Sequence, residues 1–161
     1  MSKLENAKEI LTLIECPRSN DLACNVLLAL ANITKSTQWK DAQDDLYTTR
    51  KIMDFMRDEY GLDYKPNTRE TVRKEVLHYF TQSSIVEANR DNPERPTNSP
   101  KYCYSLTPEF LKLIQSYETE DWINTLKSYK DNVDSLVNKY KKEREVNRIP
   151  VKINGAELTF S

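Results

Sequence analysis

His78 is the only histidine in the 161 residues, and Cys16, Cys24 and Cys103 form an odd set without a CxxC pair. A structural zinc site needs several nitrogen or sulfur ligands at close spacing, and this pattern argues against one. A histidine-based triad has this single candidate, which stands among cationic and hydroxyl side chains. Asp44-Asp45 reads as a loop and Asp121 as a helix start. A metal-dependent nuclease centre wants carboxylates gathered at strand ends beside a lysine, and no stretch shows that arrangement. Gly61 and Gly155 are the only glycines, too few for a dinucleotide fingerprint or a phosphate-binding loop. What remains is the chemistry of contact. Thr68, Arg69, Thr71, Arg73, Lys74 and His78 fall in one short stretch; Asn89, Arg90, Asn92, Arg95, Asn98 and Lys101 fall in a second. Arginine and lysine can donate to guanine O6 and N7 in a major groove, while threonine and asparagine serve base edges or phosphates. Each of them, taken singly, is more simply explained as an ordinary solvated side chain; it is the group, a capped helix followed by a wing, that points to DNA.

The elements that carry these residues follow from hydrophobic spacing. Leu4, Ala7, Ile10, Leu11 and Ile14 share one helical face until Pro17 and Arg18 interrupt it. Ser19 or Asn20 can cap the next helix, whose run from Leu22 to Leu30 is nearly all apolar and predicts the most buried element. Residues 32–47 are polar, with Trp39 as a possible pin, and predict irregular coil with at most one short helix. Thr48 or Thr49 opens a helix carrying Ile52, Met53, Phe55, Met56 and Tyr60, and Gly61 is its expected left-handed end. Asn67-Thr68-Arg69-Glu70 then has the form of a capping box. At 100° per residue the following helix buries Val72, Val76, Tyr79 and Phe80. It turns Glu70, Thr71, Lys74 and His78 outward and leaves Arg73 on the flank. Two capped helices joined by a short turn fit a helix-turn-helix pair.

Ser84 to Glu87 is strand-like, and Tyr102 to Leu106 alternates as a second strand. Between them runs a polar, proline-rich loop that cannot add to a core, and a hairpin with such a loop directly after a candidate recognition helix predicts a wing. Pro108 sits at a tolerated first helical position, with Phe110, Leu111, Leu113 and Ile114 on the apolar side. Thr119 to Asn147 predicts a single long helix. Trp122, Leu126, Tyr129, Val133, Leu136 and Tyr140 form a stripe along it, readable as a dimer or domain interface or as a helix lying back on its own domain. Pro150 ends that element. Val151 to Phe160 reads as an Asn-Gly hairpin, which alone is barely stable, so it is expected to open a second domain.

The fold expected is therefore mainly α: a winged helix-turn-helix domain over 1–118 with extra helices and a small β wing. A long carboxy-terminal helix over 119–150 serves as dimerisation element or linker, and 151–161 begins a truncated second domain. Net charge is -1, unlike a non-specific DNA coat protein, whose binding rests on phosphate neutralisation. Residues 65–101 nevertheless carry 7 basic and 5 acidic side chains, against 8 and 11 in residues 1–64. That local excess permits nucleic-acid contact. No run of eighteen apolar residues and no secretory signal occurs, so the expected location is cytoplasmic, with the cysteines as small buried thiols and no membrane partner.

Several stretches together resemble one family: Arg50-Lys51-Ile52-Met53 through Tyr60-Gly61, Asn67 to Arg73, Asn98-Ser99-Pro100, and Arg144 to Val151. They are similar to the amino-terminal half of the BsuBI/PstI type II restriction endonucleases. The resemblance implies an amino-terminal helix-turn-helix region, with Asn67 to Arg73 opening the recognition helix. It implies a carboxy-terminal, magnesium-dependent nuclease domain beyond the Arg144 to Pro150 junction. It also implies dimers that cleave CTGCAG within a restriction-modification system. No catalytic residue or cofactor site of the family maps onto this sequence. Three readings stay open: the DNA-recognition half of such an enzyme, its assembly module built on the Trp122 to Tyr140 stripe, or a winged-helix transcription regulator.

Overall fold

A computed structural model describes residues 1–148. The expected hairpin at 151–160, and the second domain it would open, lie outside the described residues.

The core is assembled around one helix. α1 (Lys3–Leu13) buries Ala7, Ile10 and Leu11 against α2 (Asp21–Leu30), in which every residue from Ala23 to Leu30 is buried. The Asn20 carboxamide oxygen accepts from the Ala23 amide at 3.0 Å and so caps α2. Each fully buried leucine there removes enough apolar surface from water to contribute about 1.5–3 kcal/mol. Residues 31–46 are coil with a single 3-10 turn at Trp39–Asp41. Trp39 does pin that coil: its indole donates to Asn6 Oδ1 at 3.1 Å, and the Asn6 amide donates to the Tyr117 hydroxyl at 3.3 Å. The stretch then ends in a strand that its polarity concealed, β1 (Tyr47–Thr48).

α3 (Thr49–Tyr60) is capped by Thr48 and closed by Gly61 at φ 68°. A short turn leads to a continuous helical run made of α4 (Thr68–Thr71), a π-helical segment (Val72–Leu77) and α5 (His78–Gln82). Two expectations are corrected here. Asn67 has helical backbone angles and makes no side-chain cap. The amides of Thr68, Arg69 and Glu70 already bond to the carbonyls of Lys65, Pro66 and Asn67, so the preceding turn satisfies them and no capping box is needed. The π segment also changes the buried face. Its i→i+5 register brings Leu77 beneath Val72, so the inner side is Val72, Val76, Leu77 and Phe80. Tyr79 is only half-buried, with the Arg18 guanidinium 3.8 Å from its ring centroid.

β2 (Val86–Ala88) and β3 (Cys103–Leu106) form the wing hairpin, with Val86 opposite Leu106 and Ala88 opposite Tyr104. β1 pairs antiparallel on the other side of β3, giving the order β1-β3-β2. Thr107 ties the hairpin to α6 (Pro108–Gln115): its hydroxyl donates to the Ser84 carbonyl at 2.7 Å and accepts from the Phe110 amide.

The single helix expected over Thr119 to Asn147 is two. α7 (Trp122–Asp131) ends at Asn132 (φ -108°, ψ 6°), and α8 (Val133–Arg148) follows as the longest helix described. The Asn132 carboxamide donates to the Ser128 carbonyl at 2.8 Å, a side-chain bond that helps fix the break. The break lets both helices lie on the body. Tyr129 meets the edge of Phe110, and the Tyr140 hydroxyl donates to Glu109 at 2.6 Å. Tyr129, Leu136 and Tyr140 are buried, and Trp122, Leu126 and Val133 are half-buried against the same core. The stripe is thus packed within its own chain and does not stand out as a free partner surface. The architecture is a mainly helical winged helix-turn-helix fold with a three-stranded wing sheet and a long carboxy-terminal helix.

Candidate nucleic-acid interface

The outward side of the α4–α5 run is accessible. Arg69, Glu70, Thr71, Arg73, Lys74, Glu75 and His78 are exposed, and Thr68 is half-buried. α8 meets this run near its carboxy-terminal end, where Arg144 donates to the Thr81 carbonyl at 3.2 Å. The basic side ahead of that point is left open to solvent. His78 lies edge-on to Tyr79 with ring centroids 5.2 Å apart.

The cations here are not equivalent. Arg73 donates to the Glu70 carboxylate, and Lys74 Nζ lies 3.6 Å from the same oxygen. The Arg73 guanidinium holds the Glu70 carboxyl below its ordinary value, chiefly through that hydrogen bond. Glu75 is drawn away to Arg18 at 3.3 Å. Arg69 has no carboxylate partner among the described residues.

The wing treats its polar residues differently. Asn89 is 3% exposed with φ 52°, and its side-chain oxygen accepts from the Cys103 amide at 3.0 Å. Arg95 forks onto Asp91 at 2.8 and 3.0 Å and also reaches Asn89 Oδ1 and Cys103 Sγ, both at 3.1 Å. That guanidinium pulls the Asp91 carboxyl down to about 2. Arg90 is exposed yet engaged, bonding to the Asp44 carboxylate and carbonyl at 3.0 Å each. Asn92, Asn98 and Lys101 remain exposed around the loop. The structure therefore turns Asn89 and Arg95 inward, away from the surface on which the sequence places them. A loop without a strand ladder must satisfy its own backbone, and these two side chains do so. Glu70, Asp91 and Asp44 are not named as partners by the sequence analysis. The i,i+3 and i,i+4 spacings of Glu70 with Arg73 and Lys74, and of Asp91 with Arg95, were the available signal.

Among the described residues no three His, Cys, Asp or Glu side chains come together in a way that could hold a metal ion. That donor set does not fit magnesium. The arrangement can offer cationic and hydroxyl donors from one helix and polar groups from an ordered wing beside it, which suits a phosphate backbone and the edges of bases.

The comparisons with known proteins agree with this geometry. The family described as the BsuBI/PstI restriction endonuclease HTH domain matches residues 1–138. The chain is 40% identical over 160 residues to the type II restriction enzyme BsuBI of Bacillus subtilis, covering 98% of this chain and 51% of that protein. It is 30% identical over 128 residues to the type II restriction enzyme AplI of Arthrospira platensis, covering 80% of this chain and 39% of that one. A solved structure of the SdaI restriction endonuclease superposes with a TM-score of 0.76 at 25% identity, over 90% of this chain and 46% of the other. The chain thus spans about half the length of the relatives it matches, or less. With the helix-turn-helix pair, its exposed basic face and the wing in place, the chain belongs to the BsuBI/PstI restriction endonuclease HTH domain family.

Proposed function

We propose that this chain is the DNA-recognition part of a type II site-specific restriction endonuclease acting on double-stranded CTGCAG within a restriction-modification system. The observation that carries the reading is the exposed face of Arg69, Thr71, Arg73, Lys74 and His78 on a helix whose other side is anchored in the core. That helix enters the major groove, and the wing lies along the adjacent backbone with Asn92, Asn98 and Lys101. Phosphodiester hydrolysis, with the magnesium it requires, belongs to the nuclease half of a longer protein. The restriction enzymes that this chain resembles support that division, since it matches only part of their length. A homodimer matching the palindrome and a cytoplasmic location complete the proposal. The packing of Tyr129, Leu136 and Tyr140 into the chain's own core weighs against a role confined to assembly.

The test is a titration of a CTGCAG duplex at fixed salt. Replacing Arg73 or Lys74 by Ala weakens binding by about 1–3 kcal/mol for a side chain that reads a base. Unchanged affinity in both variants would remove this helix from the interface.

A further inference from the structure

Glu70 is the one acid on the groove-facing side that the basic residues themselves enclose. Its carboxylate accepts from Arg73 and lies 3.6 Å from Lys74 Nζ, with Arg69 next to it in sequence. Glu75, the other exposed acid of the run, is occupied by Arg18. A carboxylate aimed at DNA costs affinity, because it repels phosphates and cancels part of the positive charge that would release counterions. Glu70 also does no capping here, since the turn carbonyls satisfy the first helical amides. Its position is therefore explained by what it does to the face around it.

A guanidinium has five N–H donors in a fixed fork. Two suffice for guanine O6 and N7, and a third can stay on Glu70, so the carboxylate can hold the plane of Arg73 while Arg73 reads a base. The carboxylate has further lone pairs, and of the two amino donors in the major groove it suits cytosine N4 better than adenine N6, which stands beside the N7 acceptor. Resting on the DNA-recognition reading above, we propose that Glu70 is a specificity residue: it positions Arg73 for a guanine, accepts from a cytosine amino group, and suppresses binding to other sequences by its charge.

The experiment compares the 161-residue chain with its Glu70→Gln and Glu70→Ala variants on a CTGCAG duplex, on duplexes with each base pair replaced in turn, and on an unrelated duplex, over a range of salt. Melting curves confirm folding, and the half-exposed position of Glu70 predicts only a small change in them. In Glu70→Ala, affinity for the unrelated duplex rises and its salt slope steepens by about 0.9, one phosphate contact more. Affinity for CTGCAG falls, and discrimination at a C·G pair drops by on the order of tenfold. Glu70→Gln shows the same rise on unrelated DNA but keeps an acceptor, so its loss at that pair is smaller. An equal change on all duplexes, or tighter binding to CTGCAG with discrimination intact, overturns the proposal for Glu70 while leaving the recognition helix in place. A wild-type chain without preference for CTGCAG instead overturns the reading on which it rests.

Discussion

The recognition run and the wing loop look alike as sequence, both polar and both carrying arginines three to four residues from an acid, yet the fold uses them in opposite ways. In the helix the backbone satisfies its own donors, so Arg69, Arg73 and Lys74 are left facing solvent. In the wing, Asn89 and Arg95 replace a missing ladder and are consumed in holding the loop's shape. Regular secondary structure frees charged side chains for partners, and irregular structure spends them. The loop's pairing of Arg95 with Asp91 builds a rigid support; the helix's pairing of Arg73 with Glu70 leaves both groups about half-exposed, where a ligand can compete.

The largest effect expected from this contrast comes from beneath the helix. Leu77 is fully buried, and Leu77→Ala is expected to cost about 2–5 kcal/mol in unfolding free energy, as a cavity under the recognition run. Arg73→Ala, a few residues away on the other side, should leave stability within about 0.5 kcal/mol while it weakens DNA binding. Chemical denaturation of both variants checks the split. Equal destabilisation would show that Arg73 is structural, like the wing arginine.

Next in size is the wing. Asn89→Ala strands the Cys103 amide and removes the short polar side chain that lets Asn hold φ 52°, for a loss of about 1–3 kcal/mol. Asn98→Ala, on the exposed rim of the same loop, should change stability by less than about 0.5 kcal/mol. The contrast breaks if the two variants melt together.

These outcomes follow the line between what was legible in the sequence and what was not. Residue-type signals were legible: a cap at Ser19 or Asn20 and at Thr48 or Thr49, of which Asn20 and Thr48 serve, Gly61 at the end of α3, the apolar α2, and the second wing strand. They are local, and physical chemistry assigns them locally. What escaped depends on partners distant in sequence or on hydrogen-bond register. β1 is two residues long and exists because β3 pairs with it. The π segment is a register of bonds that no residue type announces, and it exchanged Tyr79 for Leu77 in the core. The end of α7 at Asn132 has neither proline nor glycine to mark it. Within the candidate site, the basic face of the helix was legible from periodicity, whereas the inward turn of Arg95 and the tie between Arg90 and Asp44 required the fold.

The smallest effect is a titration that separates the two arginine–acid pairs. Asp91 is held at about 2 against an ordinary 3.8, by its hydrogen bonds to Arg95 first. Its folded-state value is depressed, so its contribution to stability is complete above about pH 4 and disappears as the pH falls through 2. Glu70 is also lowered from 4.5, by Arg73, and its contribution fades in the same sense as the pH falls below that ordinary value. Carboxyl carbon chemical shifts followed by NMR resolve the two groups. Arg95→Lys, which keeps the charge but loses the fork, should move Asp91 back toward 3.8 and leave Glu70 unmoved. Arg73→Lys should do the reverse. If either substitution shifts both carboxyls, the wing lock and the helix face are one electrostatic unit, and the division of labour between them fails.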